Sequence, residues 1–234
     1  KRIEFLRLAV FSLNGLIKIN AQVLYGIYDK EHVPSRRPVP YYFIREADIM
    51  WSKRVWRIID LREKMNHPLY YPTVKIGDRM SLIDLFIYGI KNEGLVAYKS
   101  NDDRFSAPMT TQDLELAFGA KTDTTYIEDP ETGMQKPVII EGQINSYEVK
   151  QYKLKEEWYF DRQRSYLDVR IIGICPIRFY TKGTGTGTET EIRKAEVFWI
   201  YYPEARRILA NHEVFNPSND AERKTFDDIF FKRR

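Results

Sequence analysis

Tyr166-Leu-Asp-Val-Arg-Ile-Ile-Gly-Ile-Cys-Pro-Ile-Arg-Phe-Tyr180 decides the fold class. The run is rich in β-branched and aromatic residues, the composition of a long strand. Just upstream, Val149, Gln151 and Lys153 alternate with Lys150, Tyr152 and Leu154, which is strand spacing, and Asp161-Arg-Gln-Arg-Ser165 makes the link. Downstream, Gly183-Thr-Gly-Thr-Gly-Thr188 leads into Ala195-Glu-Val-Phe-Trp-Ile-Tyr-Tyr202. These three runs predict a three-stranded antiparallel meander, after which Pro203 opens a helix reaching about Asn211.

Working outward, Tyr126-Ile127 and Val138-Ile139-Ile140 flank Asp129-Pro-Glu-Thr-Gly133, a turn composition that predicts a hairpin. Ser81 with Asp84, Thr110 with Asp113 and Thr225 with Asp228 have capping-box spacing and predict three helix starts, the second helix stopping at Gly119. Leu95-Val-Ala-Tyr98 reads as a short strand. Trp51, Val55, Ile58, Leu61 and Met65 recur at steps of four and three, which predicts a helix over 48–65. Three prolines between Asp29 and Tyr41 predict an extended linker. Lys1-Arg2, the apolar run Phe5–Leu13 and Ala21 are laid out as a secretory signal, or alternatively as an amphipathic helix interrupted by Arg7 and Lys18. The expected fold is α+β: short helices packed with an antiparallel three-stranded meander in the C-terminal half, and an extended N-terminal arm. Its expected divisions are a signal-like or amphipathic segment at 1–21, an arm at 22–41, a mainly helical lobe at 42–120 and a β-rich lobe with short helices at 121–234.

The 234 residues suffice for a sizeable core without metal or disulfide. Lys and Arg number 37 against 33 Asp and Glu, a net +4 with both signs interleaved, which is a solvated surface and not a nucleic-acid stripe. Beyond the first segment no run is apolar for long enough to span a bilayer. The lone Cys175 lies in an apolar run and reads as a small buried hydrophobe. The three histidines have no metal-ligand spacing, and Asp102-Asp103 and Asp227-Asp228 read as solvated turn and helix-start acids. Gly183–Thr188 joins two strand-like runs and has no Gly-Lys-Ser/Thr after it, so it reads as a hairpin loop and not a phosphate cradle. No cofactor, metal or catalytic residue is expected.

Aromatics are in excess, at 14% with 16 Tyr and 13 Phe. Rings that cannot all share one face of an element bury area either in the core or against another protein. Trp51, Trp56, Tyr70, Tyr71, Trp158, Phe160, Trp199 and Tyr201 are the candidate contact residues. A small-ligand-binding or enzymatic protein is the alternative, resting on the 183–188 loop and Cys175.

Glu46-Ala-Asp-Ile-Met-Trp-Ser-Lys-Arg-Val-Trp-Arg-Ile-Ile-Asp-Leu-Arg-Glu-Lys-Met-Asn-His-Pro-Leu-Tyr-Tyr-Pro72 closely resembles the GldN/PorN family. So do Glu157–Asp161, Arg170–Pro176, Phe198–Arg206, and Phe215-Asn216 with Phe226-Asp227, the likeness running over about 41–231. The resemblance implies a non-enzymatic periplasmic subunit of the type IX secretion and gliding machinery of Bacteroidetes. It further implies association with the outer membrane through the lipoprotein GldK/PorK, with which the family builds rings, homo-oligomeric contacts within those rings, and contact with the periplasmic region of GldM/PorM. No nucleic acid and no direct membrane span belong to that expectation.

Overall fold

The computed structural model describes residues 35–77, 79–119, 123–128, 135–140, 144–183, 190–216, 219 and 221–232. The signal-like segment, the first part of the linker, the turn at 129–133 and the glycine loop past Gly183 lie outside the described residues. Within them the strands are β1 (Ile49–Asp60), β2 (Ala97–Lys99), β3 (Asp123–Glu128), β4 (Gln135–Ile140), β5 (Val149–Asp161), β6 (Tyr166–Gly183), β7 (Thr190–Glu196) and β8 (Phe198–Tyr201). The helices are α1 (His67–Tyr70), α2 (Leu82–Asn92), α3 (Thr111–Ala117), α4 (Tyr202–Asn211) and α5 (Phe226–Lys232). The fold is α+β.

The expected meander is present as β5, β6 and β8, and it forms the middle of a larger antiparallel sheet ordered β1-β5-β6-β8-β2, with β7 also paired to β6. β3 and β4 form the expected hairpin, Asp123 opposite Ile140 and Glu128 opposite Gln135, as a separate two-stranded sheet.

Residues 49–60 are a strand, not the helix that the spacing predicted, and they pair with β5 from Ile49 opposite Asp161 to Asp60 opposite Gln151. The apolar residues here occupy both faces of an edge strand that is largely exposed, so no clean alternation marks it. Val55, Ile58, Ile59 and two tryptophans carry the β propensity, and the long partner strand decides between the two periods. The strand ends at Asp60, whose carboxylate accepts from the Arg62 backbone N–H and guanidinium and from Gln151. The Arg62 bonds, chiefly, hold that carboxyl well below the usual carboxylate range.

Cross-strand partners share a face, so the pairing sorts the sheet into two sides. Tyr152, Leu154, Ile171, Ile174, Phe198 and Ile200 point to one side and form the core with Leu82, Leu85 and Phe86 of α2, Leu114 of α3, Leu209 of α4 and Phe226 and Phe230 of α5. The helix starts follow the sequence. Ser81 and Thr110 accept from the backbone N–H groups of Asp84 and Asp113, Thr225 accepts from that of Asp228, and α3 ends at Gly119 with φ +71°.

The opposite side holds Cys175, Tyr159 and Trp199, and the loop after β2 covers the last of these. Asp102 folds this loop by accepting from the N–H groups of Arg104, Ser106 and Ala107, the Ala107 bond foremost in holding its carboxyl low. Phe105, at the tip with φ +62°, sets its ring 6.3 Å from Trp199 and 5.4 Å from Tyr201. Gly173 is required beneath it, since a Cβ there would lie 2.6 Å from the Phe105 ring.

Asp227 is not the solvated acid expected from the sequence. It is buried and takes two hydrogen bonds from buried Arg206, at 2.8 and 3.0 Å, and a third from the Tyr202 hydroxyl at 3.1 Å. Arg206 also donates to the Val39 carbonyl at 2.7 Å and lies 4.4 Å from the Tyr41 ring centre. One ion pair thus ties α4 and α5 to the arm. Burial works against the Arg206 charge, and the hydrogen bond and field of Asp227 more than offset it. Removing one member of such a pair strands the other. Asp227→Ala is therefore expected to lower stability by about 3–5 kcal/mol, against about 1 kcal/mol for the exposed cap change Thr110→Ala, both read as shifts of the denaturant midpoint.

Candidate functional site

β1 is the outermost strand of the large sheet, and among the described residues nothing pairs with its outer side. Its 12 residues leave a row of backbone donors and acceptors open, an arrangement that invites another strand. Lys53, Arg54 and Arg57 put three cations on this strand and no acid precedes Asp60. Arg57 reaches the buried Glu156 at 2.7 Å, while Lys53 and Arg54 have no ion pair among the described residues.

Where β1, β5 and β6 run past the helices, Trp51 stands opposite Phe160, and Phe160 opposite Leu167. With Met50 they line a shallow, almost wholly apolar groove of about 460 Å³. Trp51 is 48% exposed, Met50 67% and Leu167 50%. Beside the groove, half-buried Trp158 donates its indole N–H to Glu156 at 3.1 Å. Trp56, also 48% exposed, sits on the other side of the sheet, 6.0 Å from the Lys155 ammonium. An odd separation along a strand places the two tryptophans on opposite faces, and the edge leaves both open.

The remaining candidates lie elsewhere. Tyr70 accepts from Lys150 at 2.6 Å and packs edge-on against the exposed Tyr71, at 5.0 Å. Trp199, expected at the surface, is instead interior, 1% exposed, with its indole N–H on the Ser100 carbonyl at 3.1 Å. Tyr201 is half-buried against Phe105. The structure therefore brings Trp51, Trp158 and Phe160 together and leaves Trp56, the Tyr70–Tyr71 pair and the Trp199–Tyr201 pair apart. Met50 and Leu167 were missed by sequence reasoning, because only the register of three strands aligns them with Trp51.

On the opposite face of the sheet from this groove, a polar cluster fastens the arm. Tyr166 donates to the Tyr42 hydroxyl at 2.7 Å, Tyr42 and Tyr159 both donate to Asp168, and Arg170 donates to the Tyr42 carbonyl at 2.6 Å. Burial and these shared hydroxyls push the Tyr42 phenol far above its ordinary value.

Groups suited to covalent or metal chemistry are placed differently. Burial drives the Cys175 thiol far above its ordinary value, which keeps it protonated and poorly nucleophilic. Among the described residues no three His, Cys, Asp or Glu side chains gather to hold a metal ion. A groove of about 580 Å³ lies between residues 64–68, the segment around Phe215 and α5. Several of its charges are held by neighbouring side chains, Lys224 by Glu222 at 3.4 Å, Lys232 by Asp228 at 3.1 Å and Arg223 by Glu213 at 3.6 Å. Among the described residues, no helix is long and apolar enough to cross a membrane.

Two measurements follow from this geometry. A thiol reagent near pH 8 is expected to leave Cys175 unlabelled in the folded chain and to label it fully once denatured; rapid labelling of the native protein would contradict its burial. Leu167→Ser, on the exposed groove wall, is expected to change unfolding free energy by no more than about 0.5 kcal/mol.

No curated protein matches this chain. The family model described as "Gliding motility associated protein GldN" matches residues 44–234, which covers every strand and helix described above. The chain belongs to the GldN family of gliding motility associated proteins.

Proposed function

We propose that this chain is a non-enzymatic structural subunit of the type IX secretion and gliding machinery. It works in the periplasm, held at the outer membrane by the lipoprotein GldK/PorK, with which it builds rings, and it contacts the periplasmic region of GldM/PorM. One observation carries this reading: a member of a gliding family presents an apolar groove next to a strand edge that is unpaired among the described residues. Large exposed apolar surface is disfavoured in water unless a partner covers it. The groove holds a tryptophan and a phenylalanine, residue types that dominate binding energy where they are buried at the centre of an interface. The buried, protonated Cys175 is poorly placed to act as a nucleophile, and Lys224 and Lys232 of the second groove are held by neighbouring acids.

The test is capture on a tagged GldK/PorK lipoprotein, followed by mass measurement of the eluted complex. The wild-type chain is expected to elute in a high-mass assembly. Trp51→Ala is expected to weaken capture by roughly 30-fold, the effect of removing an interfacial aromatic anchor, with the unfolding midpoint nearly unchanged. A chain that ignores the lipoprotein and remains a monodisperse monomer would overturn the reading.

A further inference from the structure

The β3–β4 hairpin and the β1 edge have complementary needs. Among the described residues β3 and β4 pair only with each other, and a two-stranded hairpin alone is marginal in water. The hairpin can extend its ladder through one of its two strands. β4 contains Pro137, which has no N–H to give a new neighbour. β3, Asp123-Thr-Thr-Tyr-Ile-Glu128, has neither proline nor glycine, is rich in β-forming residues and is bounded by an acid at each end. β1 presents the converse, an edge open among the described residues that carries Lys53 and Arg54, while Arg57 beside them is held by Glu156.

We infer that β3 of one copy of this chain adds to the β1 edge of the next copy, acidic strand against basic strand. β3 carries two acids and no cation, and β1 carries Lys53 and Arg54 with no ion pair among the described residues, so adding one strand to the other sets opposite net charges side by side. Pairing β1 with β1 would set cation against cation, and pairing β3 with β3 would set acid against acid, each destabilising across a ladder. The contact is therefore head-to-tail, one surface of each copy meeting a different surface of its neighbour. Contacts of that kind close into rings or run on as filaments. The inference rests on the assembly reading above and names the surfaces through which copies meet, leaving the Trp51 groove to the lipoprotein.

A charge exchange tests it on the full chain. One variant carries Lys53→Glu and Arg54→Glu, the other Asp123→Lys and Glu128→Lys. Sedimentation over a concentration series is expected to show wild type self-associating, more weakly as salt rises, and each variant alone weakened ~10-fold or more because its two surfaces now share one sign. An equimolar mixture is expected to regain association, since each variant's hairpin then meets the opposite charge on the other's edge. Wild type that stays monomeric at every concentration, variants that associate as wild type does, or a mixture that stays dissociated would each overturn the inference. Lipoprotein capture is measured on the same samples. Capture that survives in the variants while the exchange fails removes the head-to-tail contact and leaves the assembly reading standing, whereas wild type that is neither captured nor self-associating removes both.

Discussion

The antiparallel ladder between β5 and β6 is longer than any helix among the described residues. β5 has 13 residues, an extended length of about 44 Å, whereas the longest helix described, α2, has 11 and spans about 16 Å. Helices of that length shelter the middle of one face, where Tyr152, Leu154 and Ile174 are fully buried, and leave the far end open. The groove at Trp51, Phe160 and Leu167 is the uncovered remainder of the same ladder. Because β1 follows β5 for nearly the whole of its length, the edge left open among the described residues is as extended as the ladder itself.

Burial of charge follows the same geometry. Arg206 and Asp227 are taken out of water where α4 and α5 meet, and the pair is held by four hydrogen bonds that also catch Tyr202 and the arm at Val39. Lys155 is buried on the opposite side of the sheet and lies 3.4 Å from Asp103 in the loop that carries Phe105. Each buried charge therefore joins segments far apart in sequence, and removing one partner disturbs more than one segment. Surface pairs such as Lys91 and Glu115, at 3.6 Å with both side chains well exposed, contribute much less.

The two errors made from the sequence share a cause. The 48–65 segment was read as a helix because its large apolar residues happen to fall at helical steps, yet its conformation is set by eleven cross-strand partners drawn from 151–161, a hundred residues away. Asp227 was read as a solvated helix-start acid; it does lie in the first turn of α5, yet its side chain faces Arg206 on another helix. In both cases the deciding neighbour is distant along the chain, where local spacing carries no information. The burial of Trp199 likewise depends on a distant segment, the loop that Asp102 folds over it.

Features that depend on a residue and its near neighbours were legible without coordinates. The capping boxes at Ser81, Thr110 and Thr225, the turn at Gly119, the helix opened by Pro203, the central meander and the buried Cys175 all rest on backbone conformation or hydrogen bonding within a few residues, or on a composition that suits one environment. The wording of residues 46–72 was likewise enough to indicate the family. Tertiary structure alone decided which aromatics face outward, that Met50 and Leu167 complete a surface with Trp51, and that among the described residues a basic strand forms the sheet's open edge. Those facts follow from strand register and from where the helix layer ends, and both are set by long-range packing that no short stretch of sequence contains.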